Sequence, residues 1–223
     1  MTLKLLIQAI SKFISGIILV GLLIFLPAGT LRFFNGWLLM ATLFIPIFFA
    51  GIVMMLKNPR LLKKRLQSKE TQKEQDLVLK LSGLMFLAGF VVAGLGFRLG
   101  WHMPPQYVSF AAVGIFLAAY LLYAEVIREN TYLSRTIEVQ ENQQVIDTGL
   151  YSIVRHPMYS ATLLLFLSMP LILGSLYSFA IFLLYPMIIA YRIKYEEAFL
   201  EKELPGYREY KKNVRYRLIP FVW

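Results

Sequence analysis

The chain has 223 residues and a formal net charge of +10; 58% of its residues are hydrophobic and only 16% are charged. This apolar content exceeds what the core of a soluble domain of the same length needs, so the composition predicts an integral membrane protein. The sequence contains no cysteine, which excludes disulfides, thiolate metal sites and a cysteine nucleophile. Its two histidines, His102 and His156, are far apart in sequence, so we expect no metal site.

Apolar runs long enough to cross the hydrocarbon core of a bilayer follow one another along the chain. Four of them predict single helices, near Phe13–Leu26 with an amphipathic lead-in from Leu3, and at Trp37–Leu56, Leu81–Phe97 and Tyr107–Ile127. The first run lacks a small-residue cleavage site and further spans follow it at once, so we interpret it as a membrane helix rather than a secretory signal.

A fifth apolar run, Met158–Tyr191, has a different pattern. It is interrupted by Gly174-Ser175, and each half carries one proline, Pro170 or Pro186. This pattern predicts a tight helical hairpin. We therefore predict an all-α integral membrane protein with about six membrane helices, the last two of which form a C-terminal hairpin.

The basic residues are concentrated after the second span and in the C-terminal tail. They are Lys57, Arg60, Lys63, Lys64, Arg65, Lys69 and Lys73, and then Lys202, Arg208, Lys211, Lys212, Arg215 and Arg217. The positive-inside rule makes the N-terminus, the 57–80 segment, the 128–157 segment and the C-terminus cytoplasmic. We expect an inner or plasma membrane location and contacts with anionic lipid headgroups, and we expect no nucleic-acid partner.

Polar residues are concentrated in two segments at the two ends of the predicted hairpin. The first, residues 125–159, reads EVIRENTYLSRTIEVQENQQVIDTGLYSIVRHPMY, and the second, residues 191–223, reads YRIKYEEAFLEKELPGYREYKKNVRYRLIPFVW. Folding the hairpin brings both segments together on the same side of the membrane. The sequence therefore predicts a pocket at the cytoplasmic membrane interface.

The start of the hairpin can be located more closely. Proline is favoured in the first turn of a helix, so Pro157 indicates that the first arm begins there. The N-terminus of such a helix attracts anions, and Arg155 and His156 stand beside it. Two interpretations remain open: a seat for a ligand carboxylate or phosphate, and a proline-capped helix that contacts lipid phosphates.

Two further groups of charged residues also have alternative interpretations. Arg192 and Glu196 are four residues apart on the last predicted helix and therefore share a face. They can form an intrahelical ion pair, or they can hold a substrate carboxylate and a cofactor, respectively. At the end of the fourth span, we expect charged residues to anchor the helix rather than react: Glu125, Arg128 and Glu129.

The stretch GLGFRLG, residues 94–100, is only loosely similar to a nucleotide-binding fingerprint. It lacks the G-x-G-x-x-G spacing and lies in a membrane span rather than in a βαβ unit. We therefore expect its glycines to serve helix packing.

The combination of motifs around the hairpin resembles the isoprenylcysteine carboxyl methyltransferase family, and more closely its prokaryotic members. The motifs are QVIDTGLYSIVRHPMY before the hairpin and RIKYEEAFL, LPGYREYKKNV and IPFVW after it. The wider superfamily also contains phospholipid N-methyltransferases. The resemblance covers roughly residues 125–223. Here LPGY stands where the family usually has G-E-E-Y, so Leu204 and Pro205 depart from its pattern.

The resemblance implies a membrane enzyme that transfers a methyl group from S-adenosyl-L-methionine without a Rossmann domain. It divides the chain into N-terminal membrane helices, residues 1–127, and a methyltransferase core, residues 128–223. Arg192 would hold the acceptor carboxylate and Glu196 would complete the cofactor site, and these two are the candidate catalytic residues. The other cofactor-binding residues would be Gln144, Val145, Ile146, Tyr151, His156, Pro157, Met158 and Tyr159.

Methyl transfer from a sulfonium needs alignment and exclusion of water rather than a nucleophilic side chain. The first hypothesis is transfer to a membrane-embedded, lipid-like or prenylated acceptor, at a carboxylate of isoprenylcysteine type. The alternatives are N-methylation of a phospholipid amine and a non-catalytic lipid-binding membrane protein. A transporter fits least, because no charged residue lies midway along a predicted span.

Overall fold

The computed structural model of the protein describes residues 3–66, 73–130, 132 and 139–223, without the side chains of residues 60, 64 and 73–75. Lys69 therefore lies outside the described residues, as do the side chains of Arg60, Lys64 and Lys73. The predicted 128–157 connection is described except for residues 131 and 133–138.

The described residues form helices and no strand. The helices are α1 (Leu3–Ala28), α2 (Phe34–Lys57), α3 (Pro59–Leu66), α4 (Lys73–Arg98), α5 (Gln106–Glu129), α6 (Pro157–Ile172), α7 (Leu176–Phe182), α8 (Tyr185–Glu203) and α9 (Tyr207–Asn213), with a 3₁₀ turn at Gly149–Ser152.

Five segments of the described chain are long and apolar enough to cross a membrane. They are Leu3–Ala28, Phe34–Lys57, Asp76–Arg98, Gln106–Glu129 and Leu176–Glu203, and α6 is a shorter apolar helix beside them. Large apolar side chains on the outside of the bundle are exposed, among them Leu26, Leu56 and Leu121. An apolar outer surface of this kind suits lipid rather than water. The structure confirms an all-α integral membrane protein.

The predicted hairpin is formed by α6 on one side and by α7 and α8 on the other. Gly174 takes a φ of +70° in the turn between them, a backbone conformation that favours glycine. The Ser175 side chain then caps α7 by accepting a hydrogen bond from the Ser178 N–H at 3.2 Å. The second arm is itself interrupted between Phe182 and Tyr185, just before Pro186.

Part of the basic segment after the second span is helical, although its sequence was not predicted to form a helix. Asn58 accepts a hydrogen bond from the Leu61 N–H at 3.1 Å, and Pro59 begins α3. Leu62 is buried, and Lys12 of α1 donates a hydrogen bond to the Leu66 carbonyl. These contacts dock α3 against the bundle, so the segment is an ordered amphipathic helix rather than a plain loop.

A buried polar network ties three helices together near the hairpin turn. The Gln106 side chain donates to Asn35 Oδ1 at 2.8 Å, and Asn35 Nδ2 donates to Ser109 Oγ at 3.3 Å. Ser109 in turn donates to the Leu171 carbonyl at 3.1 Å. Because hydrophobic burial drives helix association only weakly in lipid, such hydrogen bonds help to fix the position of α6 between α2 and α5.

Gly94 of the GLGFRLG stretch permits close packing of α1 on α4. A Cβ at this position would lie 2.5 Å from the Ile24 carbonyl oxygen and 3.0 Å from the Ala28 nitrogen. Both atoms belong to the backbone of α1, which cannot move aside as a flexible side chain can. The geometry agrees with the expectation that glycine serves helix packing here.

We expect Gly94→Ala to lower the stability of the bundle, because overpacking costs roughly 1–3 kcal/mol. The measurement is the thermal unfolding midpoint of the detergent-solubilised protein. Gly83→Ala is the matched control on the same helix, since no atom lies within 4 Å of its added Cβ. Alanine is a better helix former than glycine, so the control should unfold at the wild-type temperature or above it. Equal midpoints for both variants would contradict the packing argument.

Candidate active site

A cavity of about 820 Å³, including space open to solvent, lies at the end of the bundle opposite the hairpin turn. Its walls come from the ends of α5, α6 and α8, from α9, and from the polar segment that precedes α6. Polar and apolar side chains both line it, as is common in sites that bind small molecules.

Nearly all the residues predicted for the site line this one cavity. They are Gln144, Val145, Ile146, Tyr151, His156, Met158, Tyr159, Arg192 and Glu196. Pro157 does not belong to the lining: it is fully buried and begins α6, as predicted. The roles of these residues in binding or catalysis stay predictions.

The Tyr159 hydroxyl links Arg192 to Glu196. It accepts a hydrogen bond from Arg192 Nε at 2.6 Å and donates one to Glu196 Oε2 at 2.6 Å. The Arg192 guanidinium also lies 5.8 Å from the centre of the Tyr159 ring. Helical spacing places the two charged residues on one face of α8, and a side chain from α6 then connects them. The cation and the anion are thus held as a unit at the cavity wall.

Glu197, the next residue on α8, is the centre of a buried ionic network. Its side chain is only 3% exposed, and its Oε1 atom lies 2.7 Å from Arg155 Nε and 3.2 Å from His156 Nε2. Its Oε2 atom lies 3.3 Å from Arg217 Nε and 3.4 Å from Lys211 Nζ. The anion beside the start of α6 is therefore a carboxylate of the protein itself. This network was not predicted from the sequence.

The C-terminal tail is attached to the start of α6 through its backbone. The Arg155 N–H donates to the Tyr216 carbonyl at 2.9 Å, and the His156 N–H donates to the Arg217 carbonyl at 2.9 Å. These bonds satisfy two N–H groups that precede the helix. They also hold the tail against the wall of the cavity.

The segment around Tyr151, which forms another wall of the cavity, is hydrogen-bonded to the end of α5. Glu129 accepts hydrogen bonds from the Leu150 N–H at 3.0 Å and from the Thr148 hydroxyl at 3.1 Å. Gly149, with a φ of +49°, leaves no room for a Cβ beside this carboxylate. Glu129 therefore anchors the segment that carries Tyr151, in agreement with the structural role expected for it.

Tyr151 is held as a protonated phenol. Its hydroxyl accepts a hydrogen bond from Asn130 Nδ2 at 3.0 Å. Burial raises the pKa of Tyr151 to about 12, although Asn130 and the positive charge of Arg65 act in the opposite direction. At neutral pH the phenol therefore adds no negative charge to the cavity.

Two tyrosines of α9 line the cavity and had no role in the sequence prediction. Tyr210 donates a hydrogen bond to the Tyr151 carbonyl at 2.8 Å, which ties α9 to the preceding wall. The Tyr207 hydroxyl is buried and has no hydrogen-bond partner among the described residues. Burial raises the pKa of Tyr207, so it keeps its proton and can donate. The three-residue spacing of the tyrosines in G-Y-x-x-Y indicates that both lie on one helix face, and this pattern could have identified them from the sequence.

We expect Glu197→Gln to release the tail and to destabilise the protein, because removing one partner of a buried ionic network costs about 3–5 kcal/mol. Trp223 can report this change in a Trp37→Phe, Trp101→Phe background, where it is the single tryptophan. Its ring lies 5.1 Å from the Arg217 guanidinium. The measurement is its fluorescence during thermal unfolding.

Glu201→Gln in the same background is the control. Glu201 pairs with Lys211 but is 31% exposed, and such pairs contribute about 0–1 kcal/mol. A Glu197→Gln midpoint as high as that of the control would contradict a central role for the buried carboxylate.

The sequence model of a family described as phospholipid methyltransferase matches residues 107–205, which is less than half of the chain. The matched part contains α5 except its first residue, all of α6 to α8, and most of the residues that line the cavity. No curated protein matches the chain. The family match supports the wider superfamily that the sequence motifs indicated, and it does not extend to the narrower isoprenylcysteine carboxyl methyltransferase family. Together with the apolar helices, it supports a membrane methyltransferase.

Proposed function

We propose that the protein transfers a methyl group from S-adenosylmethionine to a lipid-like acceptor held in the membrane. The observation that carries the proposal is the cavity at the polar end of an apolar bundle, where Arg192, Tyr159 and Glu196 form one hydrogen-bonded unit. A polar methyl donor can reach such a site from water, while the apolar part of an acceptor stays among the helices. The similarity to phospholipid methyltransferases adds support.

The groups around the cavity fit the methyl donor chemically. Glu196 offers a carboxylate to hydroxyl or ammonium groups, and the buried Tyr207 hydroxyl has a hydrogen bond to give. Apolar wall residues can cover a base: Val145, Ile146, Leu200 and Leu204. When bound, S-adenosylmethionine supplies an activated methyl group on a sulfonium sulfur. The protein therefore needs to align the acceptor and keep water out rather than provide a nucleophile.

For the acceptor, the first candidate is a carboxylate of isoprenylcysteine type. Such a group is already anionic at neutral pH and needs no general base. A guanidinium holds a carboxylate through two parallel hydrogen bonds, a geometry that a lysine cannot offer. Arg192, which is buried at the cavity wall, is the residue that would orient it.

The second candidate is the amine of a phospholipid headgroup, and the family match is consistent with it. An amine must lose a proton before or during methyl transfer. Glu196 together with the Tyr159 hydroxyl would accept that proton, since the two groups already share a hydrogen bond of 2.6 Å. A non-catalytic lipid-binding protein is the remaining alternative, and failure to bind the methyl donor would favour it.

The same proposal includes a membrane orientation and a division of the chain. The cavity would face the cytoplasm, together with both termini, in an inner or plasma membrane. Residues 128–223 would form the methyltransferase core and residues 1–127 its membrane support. The basic residues on α3 and α9 agree with the positive-inside rule on this orientation.

We expect saturable binding of S-adenosylhomocysteine to the detergent-solubilised protein, measured by calorimetric titration. Glu196→Ala should weaken this binding at least about tenfold, because hydrogen bonds to a charged group contribute about 1.5–3 kcal/mol. Glu203→Ala, which removes an exposed carboxylate of the same helix, is the control and should bind as the wild type does. Wild-type protein that is folded but binds no S-adenosylhomocysteine would refute the methyltransferase proposal.

We expect Arg192→Ala to abolish turnover while S-adenosylhomocysteine binding stays measurable, because Arg192 would act on the acceptor. Turnover is measured as transfer of radiolabelled methyl groups, in parallel to a prenylcysteine carboxylate and to phosphatidylethanolamine. Arg208→Ala, an exposed arginine of α9, is the control and should retain activity. The acceptor that becomes labelled in wild-type protein decides between the two candidates, and full activity of Arg192→Ala would remove its assigned role.

A further inference from the structure

Arg65 of α3 is a cation that uses only part of its hydrogen-bonding capacity within the described residues. Its Nη1 atom donates to the Tyr123 hydroxyl at 3.0 Å, and its guanidinium lies 5.6 Å from the centre of the Tyr123 ring. Its Nε and Nη2 atoms are buried and have no hydrogen-bond partner among the described residues. Burying guanidinium N–H groups without an acceptor is costly, so this position favours a bound anion.

The two unpartnered nitrogens belong to one edge of the guanidinium. Nε–H and one N–H of Nη2 point in the same direction, and this is the edge that binds both oxygens of a carboxylate or phosphate. Tyr123 occupies the other side of the group. Arg65 is thus held by one nitrogen, while both donors of its bidentate edge have no acceptor in the part of the chain that the structure describes. Lys63, two residues earlier on α3, is exposed.

Arg65 lies beside the methyltransferase cavity but does not line it. Its charge is close enough to act on Tyr151, which is a wall residue. Tyr123 and Asn130 are seven residues apart and therefore lie on the same face of α5, about 10 Å apart along the helix axis. Asn130 also lines the cavity. Arg65 therefore stands on the side of the cavity that faces into the bundle of membrane helices.

This position identifies the kind of oxyanion that Arg65 can hold. A carboxylate that receives the methyl group must lie inside the cavity, so it cannot at the same time occupy an edge outside the cavity lining. An anion separated from the reacting group by a short linker meets both requirements. The phosphate of a phosphoethanolamine headgroup, which is joined to its amine by two carbon atoms, has this arrangement.

We propose that Arg65, held by Tyr123, binds the phosphate of the acceptor lipid through its Nε–Nη2 edge and so selects acceptors with a phosphate-linked headgroup. This rests on the proposed function, because it assumes that the neighbouring cavity is the site of methyl transfer. Rotation of the long arginine side chain around the Tyr123 contact would present the edge to the headgroup. Arg65 acts on lipid binding and not on the methyl donor.

The test is native mass spectrometry of the full chain in detergent with two probes, dioleoylphosphatidylethanolamine and dioleoylglycerol, which lacks the phosphate. We expect Arg65→Gln to weaken binding of the phospholipid at least about tenfold, because it removes a bidentate charged contact. Binding of dioleoylglycerol should not change. Arg65→Lys should show an intermediate loss, since it keeps the charge without the planar edge, and Lys63→Gln should match the wild type.

Calorimetry with S-adenosylhomocysteine on the same Arg65→Gln protein separates this proposal from the proposed function. Unchanged cofactor affinity together with the selective loss of phospholipid supports the role of Arg65. Equal loss of both lipids would indicate a structural role, and a loss no larger than that of Lys63→Gln would indicate general contact with bilayer headgroups; either result overturns the proposal. Absence of S-adenosylhomocysteine binding in wild-type protein would refute the proposed function while the lipid comparison still reports on Arg65.

Discussion

The arrangement of the polar end of this protein depends on one buried carboxylate, that of Glu197. It meets Arg155 and His156 from the start of the hairpin, and Arg217 and Lys211 from the C-terminal part of the chain. The Arg155 guanidinium is buried and would be costly to bury without a counter-charge, so the carboxylate stabilises the start of the hairpin in this position. This network thus positions the walls of the cavity. Only two of its members, Arg155 and His156, line the cavity themselves.

Two adjacent glutamates of α8 make different contacts because of helical geometry. Successive side chains on a helix point about 100° apart, so Glu196 and Glu197 face different neighbours. Glu197 faces the ionic network, whereas Glu196 faces the cavity through its bond with Tyr159. One carboxylate is saturated by cations of the protein, and the other remains at a wall where a ligand can reach it. Of these two adjacent glutamates, Glu197 therefore stabilises the fold and Glu196 lies at the candidate site.

The sequence was sufficient to predict the membrane helices, the hairpin with its break at Gly174-Ser175, and the start of α6 at Pro157, because each depends on local composition or on proline and glycine geometry. It also identified most of the cavity lining through its resemblance to a known family. It could not assign Glu197, since the cations that surround this residue lie up to 42 positions away in the chain. The spacing of Arg192 and Glu196 left two interpretations open, and the distant Tyr159 decides how they are linked.

Most of the polar interactions that hold the hairpin lie near its two ends, and the Tyr185 hydroxyl adds one to Thr162 between them at 3.0 Å. Near the turn, α6 is held through the Leu171 carbonyl by the network of Ser109 and Asn35. At the other end it is held by the network of Glu197. Between these ends, α6 packs mainly through apolar side chains, for which lipid tails are equally good neighbours. Polar bonds near both ends therefore fix the helix, while its apolar middle stays compatible with a lipid chain beside it, as the proposed transfer to a membrane-held acceptor would require.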